Sequence, residues 1–141
     1  MAAGMPIGRL SRETGVKATT IRFYEEIGLL PAPPRSDSNR RLYRHEDVSR
    51  LRLIRHARDL GFEVGAIRDL LSLAAHPEQP CARADELAQT HLAGVDAKIA
   101  RLMALREELQ AMVQACVQGT VRDCRVIEVL ADHRECLNES H

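Results

Sequence analysis

Tryptophan is absent from the 141-residue chain, and aromatic residues make up only 3% of it. A core built on large rings is excluded. Alanine, leucine, arginine and glutamate dominate instead, and these favour helices over sheets. Net charge is missing too, because twenty basic side chains balance twenty acidic ones. Overall charge therefore points to neither a nucleic acid nor a membrane surface. No stretch could span a bilayer, and "MAAGMPIGRL" lacks the apolar run of a secretory signal, so a cytoplasmic chain with no membrane partner is expected. Thiols stay reduced in that compartment. The four cysteines, Cys81, Cys116, Cys124 and Cys136, then read as ligands, reactive thiols or core packing rather than as disulfides. The marks of a catalyst are lacking as well: there is no CxxC beside a βαβ pattern, no histidine base spaced for a nucleophile and no phosphate loop. An enzyme is not expected.

What is present is unevenly spread. Between Arg35 and Arg58 eight arginines stand against three acids, Asp37, Glu46 and Asp47, with no lysine among them. Arginine alone, without lysine, suits planar recognition of anions. Arg50, Arg52, Arg55 and Arg58, on one predicted helix, read as a solvated face.

The apolar spacing predicts a short helix over Ile7 to Thr14 closed by Gly15, and a second from about Ala18 to Ile27 with Ile21, Tyr24 and Ile27 inward. Two short helices about a glycine-containing turn are the pattern of a helix-turn-helix. Pro31, Pro33 and Pro34 forbid helix next. The turn cluster Ser36 to Asn39 and the strand-like Arg41-Leu42-Tyr43 predict a small hairpin, a wing. Helices from about His45 to Leu60 (Val48, Leu51, Ile54, Ala57 and Leu60 inward) and from Val64 to Ala75 follow, and "HPEQP" breaks the chain.

From Cys81 to Cys116 there is no proline, and Gly94 is the sole glycine. Ala88, Leu92, Val95, Ile99, Leu102, Arg106, Leu109, Val113 and Cys116 alternate spacings of four and three, a coiled-coil seam with one polar position. A helix of about 50 Å at 1.5 Å per residue outruns the small domain before it. It needs a partner, and in a homodimer the partner is its own copy.

The stretch from "IGRLSRETGVKATTIRFYEEIGLL" through "RLYRHED" to "RDLGFEVGAIRDLL" resembles the MerR family of bacterial transcription regulators. TIRFYEEIGLL, the wing sequence RLYR and RDLGF carry the likeness from about Pro6 to Leu71, and the long helix with its cysteine loop extends it to Leu130. The wing departs from the family, with Ser38-Asn39-Arg40-Arg41 in place of the commoner Asn-Gly turn. The resemblance implies a mainly α fold in four parts. A winged helix-turn-helix DNA-binding domain (6–75) precedes a long antiparallel coiled-coil dimerisation helix (81–116). A metal-binding loop with a short helix (117–131) and a polar tail (132–141) follow. It also implies a homodimer that activates heavy-metal resistance or efflux genes by distorting promoter DNA when metal binds, with double-stranded operator DNA and RNA polymerase as partners. Thr19, Thr20 and Arg22 would reach base edges or nearby phosphates, while Tyr24, Arg35, Arg41 and Tyr43 hold the backbone. Core packing is the alternative for Tyr24.

In this family the long helices pair antiparallel. That sets Cys81 of one subunit beside Cys116 of the other, with Cys124 folding over the junction on the loop that Gly119 and Thr120 allow. Cys81 follows Pro80 at a helix start, where the dipole favours negative charge. Three thiolates suit a large soft divalent ion, so mercury, lead or cadmium is favoured over zinc, which prefers four ligands; zinc is kept as an alternative. His133 and Cys136, in the tail, are candidates for a fourth ligand, although an unrelated tail thiol fits as well. A thiol-based redox sensor of the same fold with no physiological metal, and a purely structural zinc clip, are the competing readings.

Overall fold

The computed structural model describes residues 4–115 and 119–132. It divides into two compact units, Met1–Leu87 and Ala88–His141. Among the described residues there are six α-helices: α1 (Ile7–Thr14), α2 (Ala18–Glu26), α3 (His45–Asp59), α4 (Val64–Ala74), α5 (Ala82–Gln114) and α6 (Arg125–Ala131). A single 3-10 turn, Val121–Asp123, precedes the last. None of these helices is long and apolar enough to cross a membrane.

In the first unit the predicted apolar faces meet. Leu10 of α1, Ile21 of α2, Val48, Leu51 and Ile54 of α3, and Ile67 of α4 are all fully buried, with Leu29 and Leu30 from the segment after α2. Full burial of such a side chain contributes about 1.5–3 kcal/mol each. Asp47 closes the start of α3, its buried carboxylate accepting the Arg44 backbone N–H at 2.8 Å. Leu60 does not follow the expected inward stripe. Helix α3 stops at Asp59, the chain turns at Gly61 with φ 87°, and Leu60 is left 69% exposed.

The wing is present as two isolated antiparallel bridges, Arg35 with Arg41 and Met5 with Tyr43. Met5 and Tyr43 exchange two backbone bonds of 2.8 Å, so the segment before α1 is paired to the wing. Asn39 supplies the positive φ (63°) that glycine provides in an Asn-Gly turn, and asparagine tolerates that region. The Asn39 N–H reaches the Ser36 carbonyl, and the Ser36 N–H reaches the Arg40 carbonyl, each at 2.8 Å.

In the second unit α5 runs on without a break, and 33 residues give it a length of about 50 Å. Met112, Glu108 and, on α6, Val129 are buried, whereas Leu92, Ile99, Leu102, Leu109 and Val113 of the predicted seam lie open. Leu102 is 62% and Val113 69% exposed, and with Leu105, Arg106 and Leu109 they line a groove of about 490 Å³.

Candidate nucleic-acid interface and thiol site

Helix α2 divides into two faces at helical spacing. Ile21 and Tyr24 are buried, while Thr19, Arg22 and Phe23 point outward, with Thr20 half-buried between them. Arg22 makes no hydrogen bond or ion pair with any other described residue, so its guanidinium is available on the open face. Tyr24 belongs to the core cluster, its ring centroid 6.0 Å from that of Phe23. The packing alternative accounts for its position. Half-exposed Phe23 went unnoticed in the sequence, although its place one step beyond Arg22 on the i, i+3, i+4 stripe was there to be read.

On the wing, Arg35 is exposed and donates from Nη1 to the Asn39 carbonyl at 3.1 Å, bracing the turn. Arg41 is one-third exposed and donates from Nε to Glu25 Oε2 at 3.2 Å. Tyr43 departs from the expected backbone contact. It is 0% exposed and its hydroxyl donates to Glu25 Oε1, so it supports the wing from inside rather than presenting a phenol to phosphate. Burial, reinforced by the hydrogen bond to Glu25 and by that carboxylate's charge, pushes the Tyr43 phenol well above the ordinary tyrosine range. One acid on α2 thus ties down two wing residues. Glu25 was missed in the sequence because its partners lie 16 and 18 residues away.

The arginines of α3 and α4 are a second correction. Arg50 and Arg55 do not simply face solvent. Arg50 Nε donates to the Leu29 carbonyl at 2.8 Å, and Arg55 Nη1 to the Thr14 carbonyl at 2.7 Å. Arg68 of α4 adds bonds to the carbonyls of Ile27 at 2.7 Å and Gly28 at 3.3 Å. The last carbonyls of a helix have no partner within it, and the helix dipole makes them attractive to cations. Arg55 thus pins the end of α1, Arg68 the cap of α2 and Arg50 the segment just after it, and together they fix how the open face of α2 is presented.

Cys81 is exposed at the residue before α5, and its carbonyl accepts the Asp85 N–H at 3.0 Å. Cys124 is half-buried at the residue before α6, and its carbonyl accepts the Glu128 N–H at 3.0 Å. Val129 of α6 is buried and Val126 half-buried. As a donor set, thiols of this kind fit a soft, thiophilic ion. Among the described residues no three His, Cys, Asp or Glu side chains gather as a metal site. Cys116, His133 and Cys136 lie outside the described residues.

A helix-turn-helix with a wing, an open face on its second helix that bears Thr19 and Arg22, and a long helix bearing an open apolar seam define a DNA-binding regulator. The comparisons agree. The family model "MerR HTH family regulatory protein" matches residues 5–74, and "MerR, DNA binding" matches residues 48–112. The HTH-type transcriptional regulator HmrR of Rhizobium leguminosarum bv. viciae is 39% identical over 128 residues, 91% of this chain and 98% of that protein. The heavy metal-dependent transcription regulator 2 of Rhizobium meliloti (strain 1021) is 36% identical, covering 91% of this chain and 87% of its own length. The crystal structure of the transcription regulator PbrR691 from Ralstonia metallidurans CH34 in complex with lead(II) superposes with a TM-score of 0.80 at 38% identity, over 89% of this chain and 98% of that one. The chain belongs to the MerR family of helix-turn-helix transcriptional regulators; it is a transcriptional regulator and not an enzyme.

Proposed function

We propose that this chain is a metal-responsive promoter activator that works as a homodimer. The observation that carries the DNA half is the open face of α2, where Arg22 stands unpaired beside Thr19 at the side opposite the core. Thr19, Thr20 and Arg22 enter the major groove, and Phe23 offers an apolar surface to sugar or thymine methyl. Arg35 and Arg41 hold phosphates from the wing. The open seam of α5 pairs with its copy, and two-fold symmetry matches a palindromic operator.

Cys81, Cys116 and Cys124 would hold the ion, with Cys81 from one subunit and the other two from its partner. The relatives support this half of the reading, one being called heavy metal-dependent and another solved with lead(II). Held by those thiolates, a soft divalent ion (mercury, lead or cadmium, with zinc the alternative) would cross-link the two subunits. The dimer occupies its promoter in both states, and the loaded form twists and kinks the duplex so that RNA polymerase aligns. Deformation on this scale costs a few kcal/mol, within reach of differential metal affinity for two conformations.

In vitro transcription across a panel of thiophilic ions at buffered free concentration, with footprints of both states, tests this. The expected result is ion-dependent activation with the same bases covered and altered distortion at the operator centre. An ion that merely releases the protein from DNA would identify a derepressor instead. Reduced protein that takes up no stoichiometric metal would favour the thiol-redox alternative.

A further inference from the structure

The wing arginine does not stand alone. Arg41 Nε is spent on Glu25 Oε2 at 3.2 Å, while its terminal nitrogens have no other partner among the described residues. The second carboxylate oxygen of Glu25 takes the hydroxyl of fully buried Tyr43, and Tyr43 is in turn paired through its backbone to Met5. The Glu25 side chain is only 10% exposed, so its charge is turned inward to the wing rather than outward to a polyanion. Glu25 stands on α2 three residues after Arg22. One carboxylate therefore sets the distance and angle between the reading helix and the wing.

We propose that Glu25 is a positioning residue for operator recognition: it orients the Arg41 guanidinium so that its terminal nitrogens meet a DNA phosphate in register with α2. This rests on the reading of Arg41 as a phosphate contact. A guanidinium can serve both partners at once, because its donors form a rigid fork. A carboxylate this close to DNA would otherwise repel it.

That opposition of signs makes the test sharp. Glu25→Gln keeps the shape and an acceptor for Tyr43 but removes a negative charge. Simple electrostatics predicts tighter binding with a steeper salt dependence. Positioning predicts the reverse. Operator affinity of the full-length dimer, measured as a function of salt, should fall roughly five- to tenfold. The slope of log K against log salt should become shallower by about one. Arg41→Ala should give the same loss, and the double variant no further loss. Arg41→Lys conserves charge but offers one ammonium to two partners, and should also lose slope while melting like the parent. This substitution at the one-third-exposed Arg41 decides the matter if Glu25→Gln does not fold. Glu25→Gln binding as well as the parent or tighter, with Arg41→Ala weakened, would overturn the proposal alone. So would additive losses in the double variant. Arg41→Ala binding like the parent would overturn the phosphate contact and the proposal together.

Discussion

Arg55 reaches back 41 residues to donate Nη1 to the Thr14 carbonyl at 2.7 Å, through the space beside Gly15. A Cβ built on Gly15 would lie 2.0 Å from that nitrogen, and Gly15 has φ 74°. The turn of the helix-turn-helix thus needs glycine twice, for its left-handed backbone and for the guanidinium that crosses it. Gly15→Ala should destabilise the fold by about 2–3 kcal/mol, from the backbone cost and the displaced hydrogen bond together. A urea unfolding series checks this, and Arg55→Ala in the Gly15→Ala background should add little, because the bond is already lost.

Arg22→Ala should weaken operator binding by roughly 1–3 kcal/mol if Arg22 reads a base, with selectivity relaxed at one symmetric pair of positions. Metal stoichiometry should not change, because none of the proposed ligands belongs to α2. Binding titrations against single-base operator variants, with parallel metal titration, measure both. A variant that lost metal as well would contradict the separation of the two sites.

Tyr43 gives the fold an alkaline limit. Its phenol is held above the ordinary value of about 10 in the folded state, so folding favours the protonated form. The associated stability is fully present below pH 10 or so and is lost progressively as pH rises beyond it, because the unfolded chain then releases a proton the folded one retains. Tyr43→Phe should lower stability at neutral pH, where Glu25 loses a donor, and should flatten the decline above pH 10. Chemical denaturation at several pH values tests the two effects separately.

Cys81→Ser should abolish the response to divalent ions while leaving dimerisation and operator binding intact, because a divalent ion would be left in a neutral, under-coordinated site. In the proposed site Cys116 and Cys124 of one chain would still offer two sulfurs, so some affinity for copper(I) or silver(I) should survive. Mixing Cys81→Ser subunits with Cys116→Ser/Cys124→Ser subunits sharpens the test. One junction of the heterodimer loses every thiol and the other keeps all three, so one divalent site per heterodimer is expected. Finding no site would mean that the ligands come from a single chain.

Local patterning determined a great deal. Turn glycines, prolines and the 3.6-residue apolar spacing located all four helices of the first unit to within a residue or two, because each reports on a neighbour a few positions away. The unbroken run of α5 was legible for the same reason, and so was the inward face of α2 with Ile21 and Tyr24. Leu60 was misread because periodicity continues past a helix end that Gly61 enforces.

What only the tertiary structure decided is which partner each polar side chain takes. A run of arginines reads as one solvated or anion-binding surface, yet Arg50, Arg55 and Arg68 hold backbone carbonyls at or just beyond helix ends, 21, 41 and 40–41 residues away. Tyr43 reads as a phosphate ligand, yet it is buried against Glu25. The physical reason is common to both. Apolar burial depends on the face a residue occupies, which spacing fixes, whereas a hydrogen bond is satisfied by one acceptor at one angle within about 3 Å, and sequence does not say which distant atom arrives there.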